Sequence, residues 1–266
     1  MPIGANYTAL ENAVFECACA GCESIWITVN DDWMPLIKER VGDHIYDPVW
    51  YYRRYDVNPK DGQKIIPIFY VPHMARYRNR RDSLGWGIIN SAIYASSVLK
   101  NMSDYVVPNK FYAAFPFGIY NSRELMSHRG IISSVRRFFV TYDGKTIKNN
   151  YRLGFTFDWE DVREINRYIH KEGTGAWRAA GEFVKGDTKA WAERLPAEKK
   201  YSARKFTLEK VFDSLTIEGA SSAEISWYYD LSTWSGYKKF MASANILKKP
   251  VLFTKASLPP IGVDDD

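Results

Sequence analysis

The chain has 266 residues, 46% apolar and 15% aromatic, which is enough to bury a substantial core in one large domain or two small ones. Its 36 basic and 31 acidic residues give a net charge of +5, a mixed surface and not the cationic block of a dedicated polyanion binder. No run approaches the roughly 18 apolar residues of a membrane span, and the N-terminus lacks the basic-then-apolar order of a secretory signal.

In chain order, residues 7–24 read as a short helix with Leu10, Val14, Phe15 and Cys22 near one face. Within it Cys17, Cys19 and Cys22 form an odd, tight cluster, a poor disulfide framework that suggests a reducing, intracellular setting. Residues 25–29 alternate as a strand, and Asn30 or Asp31 can cap a helix over 33–41 that stops at Gly42. Residues 50–72, WYYRRYDVNPKDGQKIIPIFYVP, set two β-forming runs around Asn58, Pro59, Asp61 and Gly62, which predicts a β-hairpin. A basic loop follows over 76–82, then a helix or buried apolar segment over 88–102. Residues 111–119 read as a strand, with Pro116 holding its ladder to an edge or bulge.

A second hairpin is predicted over 136–157, turning at Asp143-Gly144. Tyr151, Leu153, Phe155 and Phe157 fall on one face of its returning strand. Trp159, Val162, Ile165 and Ile169 then recur at helical spacing, with Asp158 placed to cap and Glu160 and Asp161 in the positive first turn. Residues 173–204 are polar and glycine-punctuated and read as an exposed excursion. Residues 206–217, 224–231 and 237–253 return to β-like patterns, and LPPIGVDDD closes the chain as a tail expected to be mobile. The mixture lacks a βαβ rhythm, so the expected fold is α+β: a mixed, mainly antiparallel sheet with flanking helices in a single principal domain.

Chemistry is sparse. The three thiols can offer a metal three ligands, but a structural zinc needs a fourth, from distant His44 or His73. Against this, cysteine in an alanine-rich helix acts as a small apolar residue, and no metal site is assigned. Arg53, Arg54, Arg76, Arg78, Arg80, Arg81, Arg136 and Arg137, interleaved with Tyr51, Tyr52, Tyr55 and Tyr77, can hold a nucleic-acid backbone while the rings stack on bases. The plainer reading is solvated faces and ion pairs, which the overall charge balance favours. No nucleophile elbow, phosphate loop or His-centred motif supports catalysis. Arg81-Asp82, Asn90, Tyr94-Ala95 and Ile119-Tyr120 resemble the nucleotide-holding spacing of thymidylate synthases and pyrimidine hydroxymethylases over about forty residues. That chemistry needs a thiolate shortly before the arginine, and residues 58–72 contain no cysteine.

A broader resemblance covers about residues 40 to 255. GDHIYDPVWYYRRYDVNPKDGQKIIPIFYVPHMARYRNR resembles the opening of tail terminator (tail completion) proteins of contractile-tailed bacteriophages. VPNKFYAAFPFGIYNSREL looks like their proline-led aromatic strand, NNYRLGFTFDWEDVREINRYIHK like their aromatic strand followed by an acidic helix, and KKFMASANILKKPVLF like their last strand. The resemblance implies residues 1–40 as an extension, 41–258 as the terminator-like domain and 259–266 as the tail. It implies a structural virion protein without enzymatic activity or cofactor: a homohexameric ring that caps the tail tube and sheath and meets neck proteins. Its place would be the tail–neck region of the virion, and the host cytoplasm during assembly. Arg53, Arg54, Arg76, Arg78, Arg80 and Arg81 are then expected at subunit or neck interfaces, where guanidinium forks pair with a neighbour's carboxylates. The alternatives are a phage single-stranded nucleic-acid-binding protein and a pyrimidine-modifying enzyme.

Overall fold

A computed structural model describes residues 1–53, 64–73, 83–103, 107–179 and 206–253, with the side chains of 52, 53 and 172–179 outside that description. In chain order the elements are β1 (Pro2–Gly4), β2 (Tyr7–Thr8), α1 (Ala9–Ala20), β3 (Ile25–Asn30), α2 (Met34–Val41), β4 (His44–Tyr46), α3 (Pro48–Arg53), β5 (Ile65–His73) and α4 (Leu84–Met102). There follow β6 (Lys110–Ala113), β7 (Gly118–Ile119), α5 (Arg129–Ser134), β8 (Phe138–Thr141), β9 (Phe155–Asp158), α6 (Trp159–Ala179), α7 (Leu208–Val211), β10 (Ser221–Glu224), β11 (Tyr229–Asp230) and α8 (Trp234–Met241). The fold is α+β in a single domain.

Two sheets carry the architecture, one ordered β3-β5-β4 and the other β10-β8-β9-β6. Pairing is parallel for β3 with β5 and for β8 with β10, and antiparallel for β4 with β5, β6 with β9 and β8 with β9. Helices cover both faces. Ile25, Ile27, Ile66 and Ile68 of the first sheet and Phe138 and Val140 of the second pack in one core with Val14, Phe15 and Ala18 of α1. The intervening Phe139, with Phe155 and Phe157, points into a second core built with Trp86 and Ile89 of α4, Val162, Ile165 and Ile169 of α6, and Phe212. Period-2 alternation within β8 thus feeds two cores from one strand.

The turn at Asp143-Gly144 forms as expected, but the segment returning from it is not a continuous strand, since Ile147–Asn149 make a 3-10 turn. Asp143 and Gly144 adopt positive φ, 52° and 66°, which the tight turn between strands requires. Tyr142 and Lys145 exchange main-chain bonds of 3.1 and 3.0 Å across it. The returning strand is shorter than predicted: β9 begins at Phe155, and Leu153 belongs to the α1 core whereas Phe155 and Phe157 belong to the other. α6 follows with Val162, Ile165 and Ile169 buried. Its cap is reciprocal, the Asp161 N–H donating to Asp158 Oδ1 and the Asp158 N–H to Asp161 Oδ2, each at 3.0 Å.

Several expectations are corrected. The first flank of the 50–72 hairpin is helical: Pro48 starts α3, the Asp47 carboxylate accepts the Val49 N–H at 3.0 Å, and β4 supplies the antiparallel partner of β5 instead. The turn at 58–62 lies outside the described residues. Residues 206–217 contain α7 and no strand, while 237–253 open in α8, capped by Thr233, and add only an isolated bridge from Phe253 to Ile45. The strand expected over 111–119 divides at Pro116 into β6, an edge strand, and β7, which pairs with β11. Residues 1–40 are no appended extension, because α1 and β3 are central to the first core. Of the 173–204 excursion, 173–179 continue α6; the rest, and the tail 259–266, lie outside the described residues.

Candidate functional site

Buried ionisable groups are the first place to look for chemistry, since they persist only when something compensates their desolvation. Three acids on or near α1 are fully enclosed: Glu11, Glu16 and Asp47. Glu11 closes the capping box with Thr8, and Arg40 (3.1 Å) and Lys249 (2.7 Å) converge on its carboxylate. Burial pushes Glu11 up, yet Lys249 and Thr8 more than offset it and the net shift is downward. Asp47 is gripped by both terminal nitrogens of Arg129, one at 2.7 Å, and caps α3. Burial again opposes ionisation, and the guanidinium again prevails. Both acids are structural ties between segments far apart in sequence.

Glu16 differs. Its carboxylate accepts the Tyr112 hydroxyl at 2.9 Å, and Tyr120 faces the same group without a hydrogen bond of ordinary geometry. No cation is paired with it among the described ion pairs. Burial therefore dominates and lifts Glu16 to about 8, with Tyr120 and Tyr112 opposing part of the rise. A carboxyl raised this far is neutral at pH 7 and can donate a hydrogen bond. Gly154 makes room for the cluster: a Cβ there would meet Tyr112 Oη at 1.9 Å and Glu16 Oε1 at 2.7 Å.

A second feature is the carboxyl end of the parallel pair. Asn30 lies opposite His73 in the register, and the turn Asp31–Trp33 follows. Thr28 donates to the Gly87 carbonyl at 3.0 Å, which lays the first turns of α4 across β3 just before that end. In α/β layers, ligands are bound outside the carboxyl ends of parallel strands.

The third feature is apolar. On α4, Tyr94 (39% exposed), Val98 (37%) and Met102 (76%) recur four residues apart, on a face turned away from buried Ile89, Ala92 and Ser96. Trp33 and Leu36 are exposed beside α2.

Of the predicted interface residues, Arg53 ends α3 with its side chain undescribed. Arg54, Arg76, Arg78, Arg80 and Arg81 lie outside the described residues, so the structure neither gathers nor separates them. Arg136 and Arg137 do not form a nucleic-acid patch. Arg136 pairs with Asp158 (2.6 Å) and Glu160, and Arg137 with Asp161, so they complement the acidic start of α6. Asn90 and exposed Tyr94 lie on α4, whereas Tyr120 is enclosed beside Glu16, so the pyrimidine-binding spacing does not share one surface. Cys19 is enclosed and burial pushes its thiol up, the reverse of an activated nucleophile. Among the described residues no group of three or more His, Cys, Asp or Glu converges as a metal site, and no helix is long and apolar enough to cross a membrane. Glu16 was invisible to sequence reasoning because its partners Tyr112 and Tyr120 lie about a hundred residues away. No protein-family model and no curated protein matches the chain.

Proposed function

We propose that the chain works through protein contacts, as a structural subunit of a larger assembly. The observation that carries this reading is the row Tyr94, Val98 and Met102 on α4, since large apolar side chains aligned on one exposed helix face mark contact surfaces. In its finer form the subunit is a tail-terminator-like ring protein, six copies closing head to tail on a phage tail and meeting the neck. Support comes from the strand-to-acidic-helix unit, β9 and α6, which has the form the resemblance requires. The matched segments at 50–55 and 238–253 do not support it, since their described parts are helical or irregular. The test is a chain with Tyr94, Val98 and Met102 replaced by Ser. It should keep the wild-type circular dichroism and be lost from assembled particles. Incorporation at the wild-type level refutes the role of this face.

A further inference from the structure

The C-terminus of α1 closes by a double hydrogen bond. The Gly21 N–H donates to the Ala18 carbonyl at 3.2 Å and the Cys22 N–H to the Cys17 carbonyl at 3.1 Å, with Gly21 at φ 95°. This fold-back is the one that sets the side chain three residues before the cap beside the side chain two residues after it. Here those two residues are Cys17 and Cys22. The neighbouring Cys22 thiol, ahead of burial, pushes the Cys17 thiol up. Both are partly exposed, whereas Cys19, between them in sequence, is buried in the first core. The helix end therefore selects one pair from three cysteines.

We propose that Cys17 and Cys22 are a redox dithiol that closes to a reversible disulfide on meeting a small-molecule disulfide. The Cys22 thiolate, past the helix end, attacks one sulfur of the reagent; the reagent S–S bond breaks and its other half leaves as a thiolate. A mixed disulfide remains on Cys22. Cys17 loses its proton and attacks the Cys22 sulfur, which expels the second half of the reagent. The chain gives up two electrons and two protons, and the reagent disulfide becomes two thiols. Cys17 suits the resolving role, because contact with Cys22 and burial push its thiol up, so it ionises late and attacks only a sulfur already beside it. The bridge ties the last turn of α1 to the entry of β3, across the glycine over which the Arg129 side chain passes on its way to Asp47.

The test uses the full chain in glutathione buffers of stepped oxidation ratio, quenched in acid, denatured, alkylated with N-ethylmaleimide and weighed intact. The oxidised form should lack two hydrogens and carry one adduct. Fragment ions should place the bridge between Cys17 and Cys22, and dithiothreitol should reverse it. Cys17→Ser should hold a glutathione on Cys22 that does not resolve, and Cys19→Ala should cycle like the wild type, with circular dichroism confirming that each is folded. Three adducts throughout the series, a bridge to Cys19, or a stable glutathione adduct on the wild type each overturn the proposal.

Discussion

At the scale of single residues, the three enclosed acids have different consequences. Glu16 is raised to about 8 by burial against the hydroxyls of Tyr120 and Tyr112. Its folded value therefore lies above its unfolded one, near 4.5, so its contribution is fully present below the unfolded value and lost as pH rises through the folded one. Glu16→Gln keeps an acceptor for Tyr112 and cannot ionise. The stability difference between variant and wild type, followed by thermal denaturation, should move in the variant's favour from pH 4.5 to 8 and level off above; a pH-independent difference would show that Glu16 titrates normally. Asp47 behaves oppositely, because Arg129 holds it below its ordinary value despite burial. Arg129→Met leaves the carboxylate buried and unpaired, at a cost of about 3–5 kcal/mol near neutrality. In the variant burial alone acts on Asp47 and pushes its carboxyl up, so the deficit should begin to narrow as the pH falls through that raised value and go on narrowing below the ordinary carboxylate range, where the paired Asp47 of the wild type is protonated last; urea denaturation at pH 7 and at pH 3 measures it. Neither acid's pairing was legible in the sequence, because their partners Tyr112 and Arg129 come from remote elements.

At the scale of elements, α6 and its strand carry the clearest test. Ile165 is fully enclosed with Val162, Ile169 and Phe155, so Ile165→Ala should cost roughly 2–4 kcal/mol in the denaturant midpoint. A shift near zero would mean that the helix does not pack as described. This unit was legible because its signals are local: two positive-φ residues at the turn, an aspartate cap and a helical apolar period lie within thirty residues. Other helices were missed although comparable signals were there. Asp47 followed by Pro48 is a cap and a first-turn proline, and it stands just ahead of the β-forming run Trp50, Tyr51 and Tyr52. Leu208, Val211, Phe212 and Leu215 repeat at helical spacing, all buried, behind Thr207, which holds the cap position without a side-chain bond to the helix. Thr233 accepts from the Gly236 N–H at 3.1 Å and starts α8, where Tyr237 and Phe240 had suggested a strand. The pairing of β3 with β5 was hidden for another reason: parallel strands are joined through long crossovers, and their register leaves no short-range mark.

At the scale of the whole molecule, helices on both faces of two sheets bury two cores, and the row Tyr94, Val98 and Met102 on α4 stays exposed, as do Trp33, Leu36 and Trp234 elsewhere. Six cations are tied to carboxylates within the chain: Arg40 and Lys249 to Glu11, Arg129 to Asp47, Arg136 and Arg137 to the start of α6, and Arg152 to Asp230. In the proposed ring, closure would await the tail, so the mass of the isolated chain does not decide the matter. The decisive measurement is electron cryomicroscopy of purified virions with the chain located by a fused label. The account predicts six-fold density at the head-proximal end of the tail, with the α4 face against a neighbouring subunit. Absence of the chain from virions, or its location in the capsid away from the neck, would contradict it.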